Sequence, residues 1–273
     1  MSAWTHRRVV SLDDPAVVPF ARLTEVELRR QWEPEHQVFM AEGHLVIERA
    51  VESGLPVQSV LTSPRWIDRL DEILGDWVGE VLVADEGLLR EITGYRVHRG
   101  ALAVVGRPRE HSVAEIVSKP GPLLVLEDLV DATNVGLAIR SAAGLGVTSI
   151  VISPRCADPL YRRSVKSSMA AVLQTHWARS TDWSTDLAAV GRTREMVALT
   201  PLGDGLIDEV LLGRDPDRVA LLLGSEGPGL TDEALRCATV RARIPMQGGV
   251  DSLNVAAATA VACFALDQAR RLR

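Results

Sequence analysis

Apolar positions fall into short runs separated by stretches of helical spacing. Val57–Leu61, Val81–Ala84 and Ala101–Val105 read as strands. Between them, Gly43–Ser53, Trp66–Leu74 and Gly87–Ile92 repeat apolar residues every three to four positions, as amphipathic helices do. Residues up to about Arg107 are therefore predicted to form a small α/β module. Further along, Leu123–Leu126, Thr148–Ile152, Met196–Thr200, Val219–Leu223 and Val240–Ile244 read as buried strands separated by helical segments. That alternation predicts a mostly parallel sheet with helices on both faces, joined by right-handed crossovers. Between the two regions, Arg107-Pro108-Arg109-Glu110-His111 and Lys119-Pro120-Gly121-Pro122 interrupt both periodicities. They predict a linker over 108–121, between a domain at 1–107 and a domain at 122–273. The longest uncharged run, Ser252–Leu266, has 15 residues. A bilayer span needs about 20, so this run is predicted to be a buried helix.

Composition agrees with two folded domains in 273 residues: 47% hydrophobic and 24% charged residues exclude wholesale disorder and collagen-like or coiled-coil arrays. Three distant cysteines, Cys156, Cys237 and Cys263, form no C-x-x-C pair, which disfavours a zinc site or disulfide framework and fits a reducing compartment. The six histidines show no ligand-like spacing, so no metal is expected. The first residues lack a long apolar stretch, and a cytoplasmic protein is expected.

Charge complicates the search for a partner. With 30 basic and 36 acidic residues the chain carries −6, which excludes a uniformly basic nucleic-acid binder. Of the basic residues 28 are arginines, whose planar forks suit bidentate phosphate contacts, and only Lys119 and Lys166 are lysines; because the skew runs through the whole chain, genomic composition bias is the favoured reading of it. Residues 1–107 hold 12 basic and 17 acidic side chains, and residues 108–273 hold 18 and 19. Two segments are nevertheless acid-free: Ile92–Arg109, with Arg96, Arg99, Arg107 and Arg109, and Pro159–Arg179, with Arg162, Arg163, Lys166 and Arg179. Each is either an ordinary solvated surface or a phosphate-contacting track.

Candidate chemistry sits at three junctions that follow strands of the second region, where open α/β sheets usually place ligands. The first, Asp131 to Gly144, carries Asn134 and Arg140; Asn134 could be a plain helix cap and Arg140 a solvated residue. The second, Leu221-Leu222-Leu223-Gly224-Ser225-Glu226-Gly227-Pro228-Gly229-Leu230, has three glycines in six residues, which either make a tight turn or let backbone approach a ligand. Its spacing does not match G-x-G-x-x-G and no P-loop lysine follows, which argues against a nucleotide-dependent oxidoreductase. The third, Ile244 to Ala256, leads into the uncharged helix, with Asp251 or Ser252 as the expected N-cap.

In this order, N-x-G-x-x-x-R-S-A, L-G-S-E-G-x-G-L and I-P-M-x-G-x-x-S-L-N-V resemble the signature of the SpoU or TrmH-like RNA ribose 2′-O-methyltransferases of the SPOUT superfamily. The resemblance covers 122–273. Phe39-Met40-Ala41-Glu42-Gly43 and Ile92 to Ala101 in turn resemble that family's ribosomal-protein-like α/β substrate-binding domain. It implies an α/β-knot catalytic domain with a deep trefoil knot, S-adenosylmethionine as cofactor, an RNA substrate and a homodimer whose active sites form at the interface. Carried over by motif, the catalytic positions are Asn134, Arg140, Glu226, Ser252 and Asn254. The cofactor positions are Thr200, Leu223, Gly224, Ile244, Met246 and Leu253. Arg96, Arg99, Arg162, Arg163 and Lys166 are the candidates for RNA contact.

Two departures stand out: Ala256, where many relatives have serine, and Pro228, where a larger residue is common. The family account makes the arginine at 140 the proton acceptor, yet a guanidinium has an ordinary pKa above about 12 and rarely loses its proton. Two roles therefore stay open: a base beside a phosphate, or a charged clamp that stabilises the developing alkoxide. Ribosomal RNA is the expected target ahead of transfer RNA, and a non-catalytic RNA-binding or ribosome-assembly factor is the other reading.

Overall fold

The computed structural model describes residues 4–24, 26–97 and 100–273, with only the backbone described at 26–30. It divides into two units, Met1–Pro108 with Leu160–Leu173, and Arg109–Pro159 with Gln174–Arg273.

Unit 1 is built on β1 (Thr5–Arg8), β2 (Val38–Glu42), β3 (Val57–Thr62), β4 (Glu80–Val83) and β5 (Ala101–Gly106), in the spatial order β1-β4-β3-β5-β2. Strands β1 and β3 run parallel to β4, whereas β5 pairs antiparallel with β2 and β3. In this register Met40 faces Val104 and Leu61 pairs with both Leu82 and Leu102, so the apolar positions fall in line across the sheet. Helices α1 (Val26–Glu35), α2 (His44–Glu52), α3 (Ile67–Leu74) and α4 (Glu86–Thr93) flank the strands. The α4 ends are written in the sequence. Asp85 accepts from the Leu88 amide at the N-terminus, and Gly94 takes the left-handed conformation at the C-terminus. Phe20, Leu23, Met40, Leu61, Leu102 and Val104 form the core.

Unit 2 begins with α5 (Val113–Ser118), inside the stretch predicted to be a linker, which corrects the expectation for 108–121. Ser112 and Glu115 form a reciprocal capping box, and Val113, Ile116 and Val117 pack into the core of this unit. Its seven strands are β6 (Leu123–Leu126), β7 (Ser149–Ile152), β8 (His176–Arg179), β9 (Glu195–Leu199), β10 (Gly205–Leu206), β11 (Val219–Leu223) and β12 (Val240–Arg243). All pairs are parallel, in the order β10-β12-β9-β11-β6-β7-β8. Strands β6, β7 and β11 are buried along their whole length, as both-face burial requires. Chain order reverses between β6 and β11, and such a switch opens a crevice at the carboxyl ends of the strands.

The remaining helices are α6 (Ala132–Gly144), α7 (Arg162–Ser167), α8 (Trp183–Thr193), α9 (Ile207–Leu211), α10 (Asp232–Cys237) and α11 (Val255–Arg271). Helix α7 lies in the connection from β7 to β8 but belongs to unit 1. Helix α11 packs against α6. The expected buried helix is amphipathic instead: Val255, Thr259, Ala262 and Leu266 are buried, while Phe264 is 53% exposed and Val261 faces outward as well. Its N-cap is Asn254, not Asp251 or Ser252. Among the described residues no helix is long and apolar enough to cross a membrane.

Candidate functional site

A cavity of about 680 Å³ opens at the carboxyl ends of β9, β11 and β12 and runs to the start of α11. Leu199, Thr200 and Pro201 line it from β9, Leu223 to Glu226 from β11, and Arg243, Ile244 and Met246 from β12. Asp251 to Val255 close the remaining side. Every residue expected to hold a cofactor, namely Thr200, Leu223, Gly224, Ile244, Met246 and Leu253, borders this one space.

The loop after β11 owes its shape to glycine. A Cβ on Gly224 would sit 2.4 Å from the Gly229 carbonyl carbon, so only glycine permits the loop to close on itself. Gly227 and Gly229 hold φ of 89° and 73°, and the Gly229 amide donates to the Ser225 carbonyl at 3.1 Å. Glu226 is thereby held at the tip of the loop.

Asn254 joins the three junctions. Its side-chain oxygen accepts from the Ala256 amide at 3.0 Å and the Ala257 amide at 3.4 Å, capping α11. Its Nδ2 donates to Asn134 Oδ1 at 3.0 Å and to Glu226 Oε1 at 2.5 Å. The Val255 amide also reaches Glu226 Oε1, at 3.4 Å. Asn134 comes from the first turns of α6, whose N-cap is Asp131. Ser252 lies on the cavity wall beside this cluster.

Arg140 stays apart. It lies six residues beyond Asn134, a rotation of about 240° around a helix of 3.6 residues per turn, and so faces elsewhere. It is exposed, does not border the cavity, and among the described residues makes no hydrogen bond or ion pair.

The candidate RNA contacts divide. Arg163 and Arg96 are exposed, and Arg99 lies outside the described residues. Arg162 and Lys166 are both engaged by an acid, Arg162 with most of its side chain covered and Lys166 with its side chain half exposed. Within unit 1, Arg162 donates to Glu42 Oε2 at 2.7 Å and Lys166 to Glu42 Oε1 at 2.6 Å. The Arg162 guanidinium also stacks over Tyr95, whose hydroxyl donates to Glu42 at 3.0 Å. Burial pushes the Glu42 carboxyl up, but the Lys166 hydrogen bond and the charges of Arg162 and Lys166 outweigh it and hold it below the ordinary carboxylate range. Two more of the arginines are occupied as well: Arg179 donates to the carbonyls of Ser153, Pro154 and Cys156, and Arg109 pairs with Glu115.

Sequence reasoning missed the wall residues Pro201, Arg243 and Asp251, and a buried carboxylate, Glu127, directly behind the glycine loop. The signal for Glu127 was an acid ending the otherwise apolar run Leu123–Leu126.

Comparison with known proteins places the chain. Residues 121–264 match the model of the SpoU rRNA methylase family. A protein of Mycobacterium tuberculosis described as an uncharacterized tRNA/rRNA methyltransferase is 37% identical over 254 residues, covering 92% of this chain and 88% of the relative. The crystal structure of an AdoMet-bound rRNA methyltransferase from Sinorhizobium meliloti superposes with a TM-score of 0.79 at 26% identity, covering 96% and 98% of the two chains. That of an RNA 2′-O ribose methyltransferase gives 0.80 at 25% identity, covering 97% and 100%. The match to the family model and the kinship over nearly the full chain establish that this protein belongs to the SpoU rRNA methylase family.

Proposed function

We propose that the protein transfers the methyl group of S-adenosylmethionine to a ribose 2′-hydroxyl of RNA, ribosomal RNA foremost, in the cytoplasm. The single observation that carries this is the union of Asn134, Glu226 and Asn254 at the mouth of one cavity. The residues present suit the cofactor. Leu199, Leu223, Ile244, Met246 and Leu253 offer apolar walls for a purine, and the loop pinched at Gly224 leaves backbone edges to read it. Glu226 and Asp251 bring carboxylates to the same cavity and would suit the positive charges of a sulfonium and an ammonium.

When bound, S-adenosylmethionine supplies an electrophilic methyl group. Asn134, Ser252 and Asn254 orient the ribose, and alignment of nucleophile and electrophile contributes several kcal/mol, of about 7–11 available to ideal positioning. Arg140 completes the site from a second copy of the chain. Its separation from the cavity within one copy supports a homodimer, as do the exposed Phe264 and Val261 on α11. There it clamps a phosphate and stabilises the developing alkoxide, or takes the proton. The strand order around β9, β11 and β12 agrees with a trefoil-knotted domain, and unit 1 is the RNA-binding unit, with Arg96 and Arg163 as open cations.

Methyl transfer from labelled cofactor to total RNA, followed by mapping of the modified ribose, tests the reading. Arg140→Ala should abolish transfer while leaving cofactor affinity within about twofold of the parent, since Arg140 stands outside the cavity. Wild-type turnover in that variant overturns the assignment of Arg140, and transfer to a base or to transfer RNA overturns the choice of substrate.

A further inference from the structure

Behind the cavity, Glu127 occupies a place that no motif marks. It follows β6 directly, only 1% of its surface is exposed, and it belongs to the strand end that leads to Asn134. Three donors surround its carboxylate. Trp183 Nε1 reaches Oε1 at 2.5 Å, Thr231 Oγ1 reaches Oε1 at 2.8 Å, and the Thr231 amide reaches Oε2 at 2.8 Å. At the same time the Glu127 amide donates to the Leu223 carbonyl at 2.8 Å. Leu223 is the last residue before the glycine loop and Thr231 the first after it. One residue therefore grips both ends of the loop that carries Gly224 and Glu226.

We infer that Glu127 is a positioning residue for cofactor binding: it clasps the glycine loop at both stems and sets that loop against the strand end leading to Asn134. The inference rests on the reading of the cavity as the S-adenosylmethionine site.

The donor set explains why a carboxylate is required. A tryptophan N–H, a backbone N–H and a hydroxyl all point inward; the Thr231 hydroxyl accepts from the Ala234 amide at 3.2 Å and donates its proton to Glu127, since an ionised carboxylate can only accept. A glutamine presents one oxygen and one NH2 group. Whichever way that amide turns, its NH2 group meets a donor, either the Thr231 amide or the Trp183 indole. Opposing one buried donor weakens a coupled equilibrium by about 5- to 150-fold. The disturbance acts on the Thr231 stem of the loop, while the backbone bond from Glu127 to Leu223, the cap of α11 at Asn254 and the exposed cations stay as they are.

The experiment uses the full chain and S-adenosylmethionine itself, with cofactor affinity by calorimetry and the indole N–H resonance of Trp183 in nitrogen-15 spectra, assigned through Trp183→Phe. Glu127→Gln is expected to weaken cofactor binding at least tenfold, shift the Trp183 indole resonance, and leave the KM for RNA unchanged. Thr231→Val removes one donor from outside the carboxylate and should weaken binding less, whereas Thr231→Ser keeps both donors and should restore parental affinity. If Glu127→Gln does not fold, the Thr231 pair carries the same test. Parental affinity in Glu127→Gln, or equal behaviour of Thr231→Val and Thr231→Ser, overturns the inference. If the parent protein itself does not bind S-adenosylmethionine, the reading of the cavity has failed, while the indole shift still reports whether the clasp exists.

Discussion

Asn254 performs two tasks with two different atoms, and substitution can separate them. Its Oδ1 caps α11 and its Nδ2 bridges Asn134 and Glu226. Asn254→Ser keeps an oxygen able to accept from the Ala256 or Ala257 amide but cannot reach both partners across the junction. Asn254→Ala loses cap and bridge together. A cap is worth about 1 kcal/mol against alanine, whereas serine and asparagine are near equals. The bridge joins exposed side chains, so its removal adds less than about 1 kcal/mol to the cost. In a unit of this size 1 kcal/mol moves the melting temperature by about 2–4 °C. Asn254→Ser, which loses only the bridge, should therefore melt within about 4 °C of the parent and Asn254→Ala, which loses bridge and cap, about 2–8 °C lower. If Asn134 and Asn254 orient the ribose as proposed, both variants should lose about 100-fold or more in turnover, because the two side chains are no longer tied together. Thermal unfolding and labelled methyl transfer on the same preparations supply the two readouts. Parental turnover in Asn254→Ser refutes the role of the bridge, and equal melting of the two variants refutes the account of the cap.

Further outcomes follow from the charged groups of unit 1. Glu42 has its folded-state pKa held below the ordinary value, so its stabilisation is complete above about 4.3 and is lost as the pH falls through the folded value. Glu42→Gln, which removes the carboxylate facing the mostly covered Arg162 and the half-exposed Lys166, should cost up to about 3 kcal/mol near neutrality, and melting curves against pH should show its deficit shrinking below about pH 4. Arg163→Glu should weaken RNA binding and reduce the slope of log K against log salt by about 0.7–0.9 for each phosphate that the arginine neutralises. Arg162→Glu should instead reduce the yield of folded protein, because it sets a second carboxylate against Glu42; an unchanged melting temperature there would remove the ion pair from the account.

Much of the architecture was legible because burial on both faces leaves a strong mark. Leu123–Leu126 and Val219–Leu223 have no charged residue and appear as β6 and β11 with unchanged bounds. Three strands at sheet edges were not legible: Thr5–Arg8 is polar, His176–Arg179 has only Trp177 and Ala178 between two basic residues, and Gly205–Leu206 is two residues long. Pairing with a neighbour, and not hydrophobic pattern, makes them strands. Helix α5 was hidden by the prolines and glycine around it, although Ser112 and Glu115 spell a capping box. At the site, the motifs named Asn134, Glu226 and Asn254, but not that one amide would join all three. The two roles of arginine were invisible as well, since the count of positive charges in Pro159–Arg179 says nothing of Glu42, 120 positions before Arg162.

The placement of Leu160–Leu173 in unit 1 bears on how the protein is made. During synthesis, Glu42 leaves the ribosome long before the cations that neutralise it, and the β7 end of the methyltransferase sheet must be translated in between. A fragment ending at Pro108 would carry the Glu42 carboxyl with the Tyr95 hydroxyl but without Arg162 or Lys166. Unit 1 is thus not a contiguous cassette: a recombination that cut the gene near residue 108 would separate a buried acid from its counter-ions.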